Sequence, residues 1–239
     1  MHSIFISDLH LAPERPQILD VFFRFVIDPA MRAEALYILG DLFETWIGDD
    51  DLDDGFNATV TDALSRLTGG GTRLYLMHGN RDLLLGQAFA VRCGAQLIAD
   101  PLVVDLYGAR TLLMHGDTLC SDDIEYQKFR AHVHDPNVQR AFLAQPLLDR
   151  RRQVQGLRSE SEQSKQRKSE EIMDVTTATV EVALRNHGYP RLIHGHTHRP
   201  GRHVHVVDGR PCERWVLPDW YTRCGYLRCD AEGCTAIAL

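Results

Sequence analysis

The sequence predicts an α/β fold. Three observations carry that expectation: short apolar runs with turn residues directly behind them, helical segments between the first three runs, and polar clusters where the runs end. Ile4-Phe5-Ile6, Leu36-Tyr37-Ile38-Leu39, Leu74-Tyr75-Leu76-Met77, Leu112-Leu113-Met114 and Leu192-Ile193 read as buried strands. The segments around Ile18 to Ile27 and around Ala58 to Leu67 have helical length and period, the second stopping at Gly69-Gly70-Gly71. Strand, helix, strand, helix, strand is the alternation of an α/β sheet, whose functional groups gather just beyond the carboxyl ends of its strands.

Two later regions depart from this alternation. From Asp122 to about Lys168 the strand pattern stops, and Val133, Val138, Phe142, Leu143, Leu147, Leu148, Val154 and Leu157 recur at helical intervals. We read a helical cap insertion over approximately 122–168, placed over the site. From Arg202 onward, alternation in His203-Val204-His205-Val206-Val207, Trp215-Val216-Leu217, Tyr226-Leu227-Arg228 and Ala236-Ile237-Ala238, punctuated by Asp208-Gly209 and Glu232-Gly233, predicts hairpins forming a second sheet.

At 239 residues, with a hydrophobic share of 44% and a charged share of 25%, the chain can bury a sizeable core, and we expect a single domain over 1–239. No signal peptide or run of about 18 apolar residues is present, which predicts a cytoplasmic protein without a transmembrane anchor. A net charge of −7 argues against a nucleic-acid-wrapping surface. The charge is uneven, however: residues 41–54 hold seven acidic residues and no basic one, whereas 140–168 holds eight basic and three acidic. The first suits cations and the second suits anions. Arg150-Arg151-Arg152, Arg158 and Arg167, each taken alone, read as a solvated helix face. Cys93, Cys120, Cys212, Cys224, Cys229 and Cys234 are scattered, form no C-x-x-C pair and are expected as reduced thiols.

The chemistry is carried by five polar clusters behind five strands: Asp8-Leu9-His10, Gly40-Asp41, Gly79-Asn80-Arg81-Asp82, His115-Gly116-Asp117 and Gly195-His196-Thr197-His198. Carboxylate, imidazole and amide oxygen without a thiolate suit Mn²⁺, Mg²⁺, Fe or Zn²⁺ in an open site. Any single one of these residues can be a loop cap. Asp82 and Asp117 are either partners that orient a ligand or turn residues. His78 and His194 read as strand-end residues, and His203 and His205 as members of a strand face.

The order D-x-H, G-D, G-N, H, G-H-x-H resembles the calcineurin-like metallophosphoesterases from Asp8 to His198. That resemblance implies a sandwich of two β-sheets flanked by helices, with a dinuclear metal centre between the strand ends. One metal would be held by Asp8, His10, Asp41 and His198, the other by Asp41, Asn80, His115 and His196. Asp41 would bridge two cations roughly 3.5–4 Å apart. Many members follow Gly-Asn with a histidine able to act on the leaving group, but here the residue is Arg81. A guanidinium cannot act as an acid at neutral pH, yet it clamps phosphoryl oxygens, which favours a pyrophosphate whose leaving group needs little protonation.

Gly40-Asp41-Leu42-Phe43-Glu44-x-Trp46-Ile47-Gly48-Asp49-Asp50, His78-Gly79-Asn80-Arg81-Asp82 and Gly116-Asp117-Thr118-Leu119-Cys120-x-Asp122-Asp123 are similar to the UDP-2,3-diacylglucosamine hydrolase family of lipid A biosynthesis. The resemblance implies two Mn²⁺ per chain (with Mg, Fe, Co or Zn as alternatives) and metal-activated water attacking the uridine-linked phosphorus. The products would be UMP and 2,3-diacylglucosamine 1-phosphate. It makes Asp41 and Arg81 catalytic, and Asn80, Arg81, Asp123, Ser161, Lys165, Lys168 and His196 substrate contacts, with Lys165 standing where a smaller polar residue is common. It further implies a monomer, peripherally bound at the cytoplasmic face of the inner membrane of a Gram-negative bacterium, where basic residues near anionic lipid contribute about 1 kcal/mol each. Two alternatives stay open: a metal-dependent pyrophosphatase or phosphodiesterase of a soluble nucleotide, and a non-catalytic binding scaffold.

Overall fold

The computed structural model describes residues 1–167 and 174–239, and side chains for 1–158 and 174–239. In chain order the elements are β1 (Ser3–Ile6), α1 (Pro16–Ile27), β2 (Ala35–Leu39), α2 (Gly55–Gly69), β3 (Arg73–Met77), α3 (Gln87–Cys93), β4 (Ala95–Ile98), β5 (Leu102–Leu106), β6 (Ala109–Leu113), α4 (Ile124–Val133), α5 (Pro136–Leu143), α6 (Leu147–Arg167), α7 (Thr177–Asn186), β7 (Arg191–His194), β8 (Gly201–Val207), β9 (Arg210–Val216), β10 (Gly225–Asp230) and β11 (Gly233–Ala238). They build two sheets, ordered β11-β10-β1-β2-β3-β4 and β5-β6-β7-β9-β8. The α/β sandwich flanked by helices is the fold the sequence predicts.

The strands of the first sheet's centre are apolar on both faces because both faces are covered. Ile4, Ile6, Leu36, Ile38, Leu74 and Leu76 pack with Phe22, Phe25 and Val26 of α1 and Val60, Leu64 and Leu67 of α2. The alternate residues Phe5, Tyr37, Leu39 and Met77 point the other way and meet Leu106, Leu113 and Ile193 of the second sheet. Tyr37 is stacked between Phe5 at 4.7 Å and Tyr75 at 4.6 Å, pairs worth about 0.5–1.5 kcal/mol each beyond their burial. Leu112 and Leu192 cover the far face of the second sheet beneath Val180 and Leu184 of α7.

β1, β2 and β3 run parallel, as do β6 and β7. Their carboxyl ends therefore collect the five polar clusters along one edge of the sandwich. The N-terminal ends of the helices are set by local chemistry: Pro16 opens α1, and the Asp54 carboxylate caps α2 by accepting from the Phe56 amide at 3.1 Å.

Three expectations are corrected. The tail hairpins do not share a sheet: β8–β9 completes the second, with β9 parallel to β7, whereas β10–β11 joins the first, with β10 antiparallel to β1. The segment between them crosses from one sheet to the other. Cys229 and Cys234 are a disulfide rather than reduced thiols, because the β10–β11 register sets them opposite each other with Cα atoms 4.2 Å apart. Arg150 is buried, not solvated. Its guanidinium donates to the Ile47 carbonyl at 2.5 Å and forks onto the Asp50 carboxylate, which the turn at Gly48, with φ of +134°, directs toward α6. Arg151 likewise reaches Asp51 and Asp54. The acidic and basic stretches thus partly neutralise one another and fasten α6 to the body.

Candidate metal centre

Each ligand-type residue lies two to four positions past the last residue of its strand: Asp8 and His10 after β1, Asp41 after β2, Asn80 after β3, His115 after β6, His196 and His198 after β7. Asp8, His10, Asp41, His196 and His198 all have φ between 48° and 68°. Left-handed backbone in a non-glycine residue costs of order 1–3 kcal/mol and clusters at functional sites. Glycines supply the close approach that brings these loops together. A side chain at Gly79 would collide with the Asp41 carboxylate, and one at Gly195 with Ser7 and Asp8.

The seven residues converge into two groups. In the first, His198 Nε2 lies 3.3 Å and His10 Nε2 3.9 Å from Asp8 Oδ1, with the two imidazole nitrogens 3.4 Å apart. In the second, Asn80 Oδ1 lies 3.2 Å from His115 Nε2 and 3.1 Å from His196 Nδ1. Asp41 Oδ2 sits between them, 3.7 Å from His10 Nε2 and 3.9 Å from His115 Nε2. Its other oxygen accepts from the Arg81 amide at 2.8 Å.

The donor set fits divalent cations. Asp8 Oδ2 accepts from the Ser7 hydroxyl at 2.5 Å and the His196 amide at 2.8 Å, while the buried Oδ1 has no hydrogen-bond donor and faces the imidazoles. Burial pushes the Asp41 carboxyl up to about 7, with Asp82 and Asp8 adding to it against His115. A cation bound among these oxygens would offset that crowding of negative charge. His115 is driven up to about 9, against its burial, by Asp41, Asp117 and Asp8. His196 is held down to about 3 by burial and by His115. Among the described residues, Asp8, His10 and His198, and Asp8, Asp41 and His115, are the carboxylate and imidazole groups close enough to hold an ion.

A calcineurin-like phosphoesterase model matches residues 1–200. The chain belongs to the calcineurin-like phosphoesterases. Within them it is 54% identical to the UDP-2,3-diacylglucosamine hydrolase of Aromatoleum aromaticum, over 98% of this chain and 95% of the relative. It is 49% identical to the proteins of that name from Stenotrophomonas maltophilia, over 98% and 97%, and Pseudomonas paraeruginosa, over 98% and 97%. The chain is therefore a member of the UDP-2,3-diacylglucosamine hydrolase family.

Around this member's two groups stand residues that hold them in place. Asp82, fully buried, accepts from the amides of Gly79 at 2.9 Å, Asp41 at 3.2 Å and Leu42 at 2.8 Å, tying the loops after β2 and β3 together. Asp117 accepts from Arg130 at 2.6 Å and the Tyr126 hydroxyl at 2.9 Å, and the Tyr126 ring lies 5.6 Å from that of His196. Both aspartates are thus partners of the site rather than plain turn residues.

Glu44 and Tyr221 escaped the sequence reading. Buried Glu44 has His10 Nδ1 at 3.5 Å, Arg15 and Arg158 at 3.2 Å, Arg81 at 3.7 Å and the Tyr221 hydroxyl at 2.5 Å. Its signal was its place in the acidic stretch, three residues after Asp41. Tyr221, which lies under the Arg15 guanidinium at 4.0 Å, sits in the crossover segment and has no local signal.

The other assigned residues are spread more widely. Asp123 caps α4, accepting from the Tyr126 amide at 3.0 Å. Ser161 and Lys165 fall on the far part of α6, where only the backbone is described, and Lys168 lies outside the described residues. His78 Nε2 donates to the Leu85 carbonyl, 2.6 Å away, and His194 closes β7. His205 on β8 accepts from Arg214 at 3.0 Å, away from the two groups.

Proposed function

We propose that the chain hydrolyses the pyrophosphate bond of UDP-2,3-diacylglucosamine to UMP and 2,3-diacylglucosamine 1-phosphate in lipid A biosynthesis, by attack of water on the uridine-linked phosphorus. The observation that carries the reading is one carboxylate oxygen, Asp41 Oδ2, shared by two ligand groups, with Arg81 alongside. The names of relatives matching 98% of the chain support it. We assign two Mn²⁺ to the groups, one with Asp8, His10, Asp41 and His198, the other with Asp41, Asn80, His115 and His196. When bound, such ions polarise phosphoryl oxygens and make water a nucleophile at neutral pH.

The chain's own residues do the rest. Glu44 is a single carboxylate among the guanidinium groups of Arg15, Arg81 and Arg158, so positive charge is in surplus where a diphosphate would lie. Arg81 stabilises the charge growing on the phosphoryl oxygens and donates no proton, which suits a phosphate leaving group. Asp82 keeps Asp41 and the Gly79-Asn80 turn at fixed separation, so the charges need not rearrange during reaction.

Residues 122–168 act as a cap within a single domain. Ile124, Phe129, Leu143, Leu148 and Leu157 are exposed on its helices, supporting a lipid-facing role and peripheral attachment of a monomer to the cytoplasmic face of the inner membrane. Asp123, Ser161, Lys165 and Lys168 would meet the glucosamine phosphate, and Asn80, Arg81 and His196 would also contact the substrate. Among the described residues no helix is long and apolar enough to cross a membrane. Incubating purified protein with acylated and deacylated UDP-glucosamine, with and without Mn²⁺, and identifying the products tests this reading. UMP and the lipid phosphate should form only from the acylated compound with metal. Equal turnover of the deacylated compound would instead indicate a soluble-nucleotide pyrophosphatase.

A further inference from the structure

A cavity of about 450 Å³ opens beside His198 and lies within the roughly 300–1,000 Å³ typical of small-molecule sites. Its wall comes from the loop after β7, the facing strand β9 and the crossover segment, and includes Asp174, Arg199, Arg214, Thr222 and Arg223. Among the described residues, none that lines it belongs to α4, α5 or α6.

Arg214 is the informative member. It is only 6% exposed, yet its guanidinium donates to imidazoles, His194 Nε2 at 3.1 Å and His205 Nε2 at 3.0 Å, rather than to a carboxylate. Asp174, a carboxylate of the wall, accepts from Arg199 at 2.9 Å. Burying a cation is expensive, and burial lowers the Arg214 pKa, with the Asp174 carboxylate opposing it in part. Among the described residues, the guanidinium groups of Arg214 and Arg223 line the pocket beside the Arg199–Asp174 pair, and such donors favour a ligand rich in hydrogen-bond acceptors.

Attack on the uridine-linked phosphorus at the metal groups requires the nucleoside to extend from that phosphorus, away from the capped lipid end. We infer that this cavity seats the nucleoside half of the substrate. The guanidinium groups donate to the carbonyl oxygens of a pyrimidine base, and Asp174 accepts from ribose hydroxyls. The inference rests on the substrate reading above.

Calorimetric titration of UMP into the Mn²⁺-loaded protein tests it. Arg214→Gln and Arg223→Ala should each weaken UMP at least tenfold, while 2,3-diacylglucosamine 1-phosphate binds within twofold of the unmodified protein. Arg223 is exposed, so its replacement stays readable if the loss of Arg214 disturbs folding. Unchanged UMP affinity in both variants, equal weakening of UMP and the lipid phosphate, or ribose 5-phosphate binding as tightly as UMP would each overturn the assignment. Failure of the unmodified protein to cleave UDP-2,3-diacylglucosamine would sink the substrate reading instead, and the UMP titration would still decide the cavity.

Discussion

The platform of candidate metal ligands and the helices α4 to α6 of the proposed cap are built in opposite ways. The platform's carboxylates are buried, its loops issue from five strands of two sheets, and its backbone amides are pinned by Asp82 and Asp8. The helices α4 and α5 bury no residue fully, and among the described residues of α6, Arg150, Arg151 and Arg158 pair with carboxylates of residues 44–54. Phosphoryl chemistry demands fixed distances, and a packed frame supplies them. The proposed admission of long acyl chains demands a surface that can part from the frame, a demand that ion pairs at its foot would meet.

Changes on the platform should therefore stop chemistry, and changes at the cap's foot should loosen binding. Asp41→Ala removes the oxygen common to both groups, and turnover should fall by roughly 10³-fold or more, corresponding to about 4 kcal/mol of barrier. Near-normal turnover with intact metal content would end the bridging role. Arg81→Ala should slow the chemical step by about 10²-fold. Metal analysis beside kinetics checks it, since loss of both ions would show that Arg81 supports ligands rather than phosphoryl oxygens. Glu44→Gln keeps the size but frees three guanidinium groups, and we expect a drop of roughly tenfold.

Arg150→Ala separates the two regions. Losing charged hydrogen bonds at a buried site should destabilise by about 2 kcal/mol, or roughly 4–8 °C in Tm. KM for the acylated substrate should rise, while hydrolysis of a small phosphodiester changes less than twofold. An equal loss of both activities would mean that the cap shapes the metal groups as well.

Removing the metal should make the platform's stability depend on pH. Asp41, raised by burial, and His115, raised against burial by Asp41, Asp117 and Asp8, both hold protons more tightly than when unfolded. Such groups lend stability below their unfolded pKa and lose it as pH climbs through the folded value. The chelated protein should thus melt earlier at about pH 9 than at about pH 6, and Mn²⁺ should flatten that slope. Calorimetric melts with and without chelator measure both.

The strand-end clusters were readable because buried strands and the polar residues after them are local in sequence. α1 and α2 were readable for the same reason, each showing its apolar face in one window. What escaped was decided at a distance. The two tail hairpins alternate alike, and only pairing with β7 or with β1 sends them to different sheets. Arg150 looks solvated until Ile47 and Asp50 are brought against it, and Cys229 meets Cys234 only once the hairpin register is set. Tyr221 reaches Glu44 because the crossover segment passes beside the site.

The left-handed backbone at Asp8, His10, Asp41, His196 and His198 divides what selection asks of those positions into two separable demands. Asp8→Gly and Asp8→Val both delete a proposed metal donor. Glycine relieves the backbone, whereas a β-branched residue aggravates it. An inactive chain carrying the glycine should fold at least as well as the original, and one carrying valine should fold worse. A substitution scan read out twice, by abundance and by turnover, would find these five positions where the two maps disagree most, with glycine tolerated by one and refused by the other.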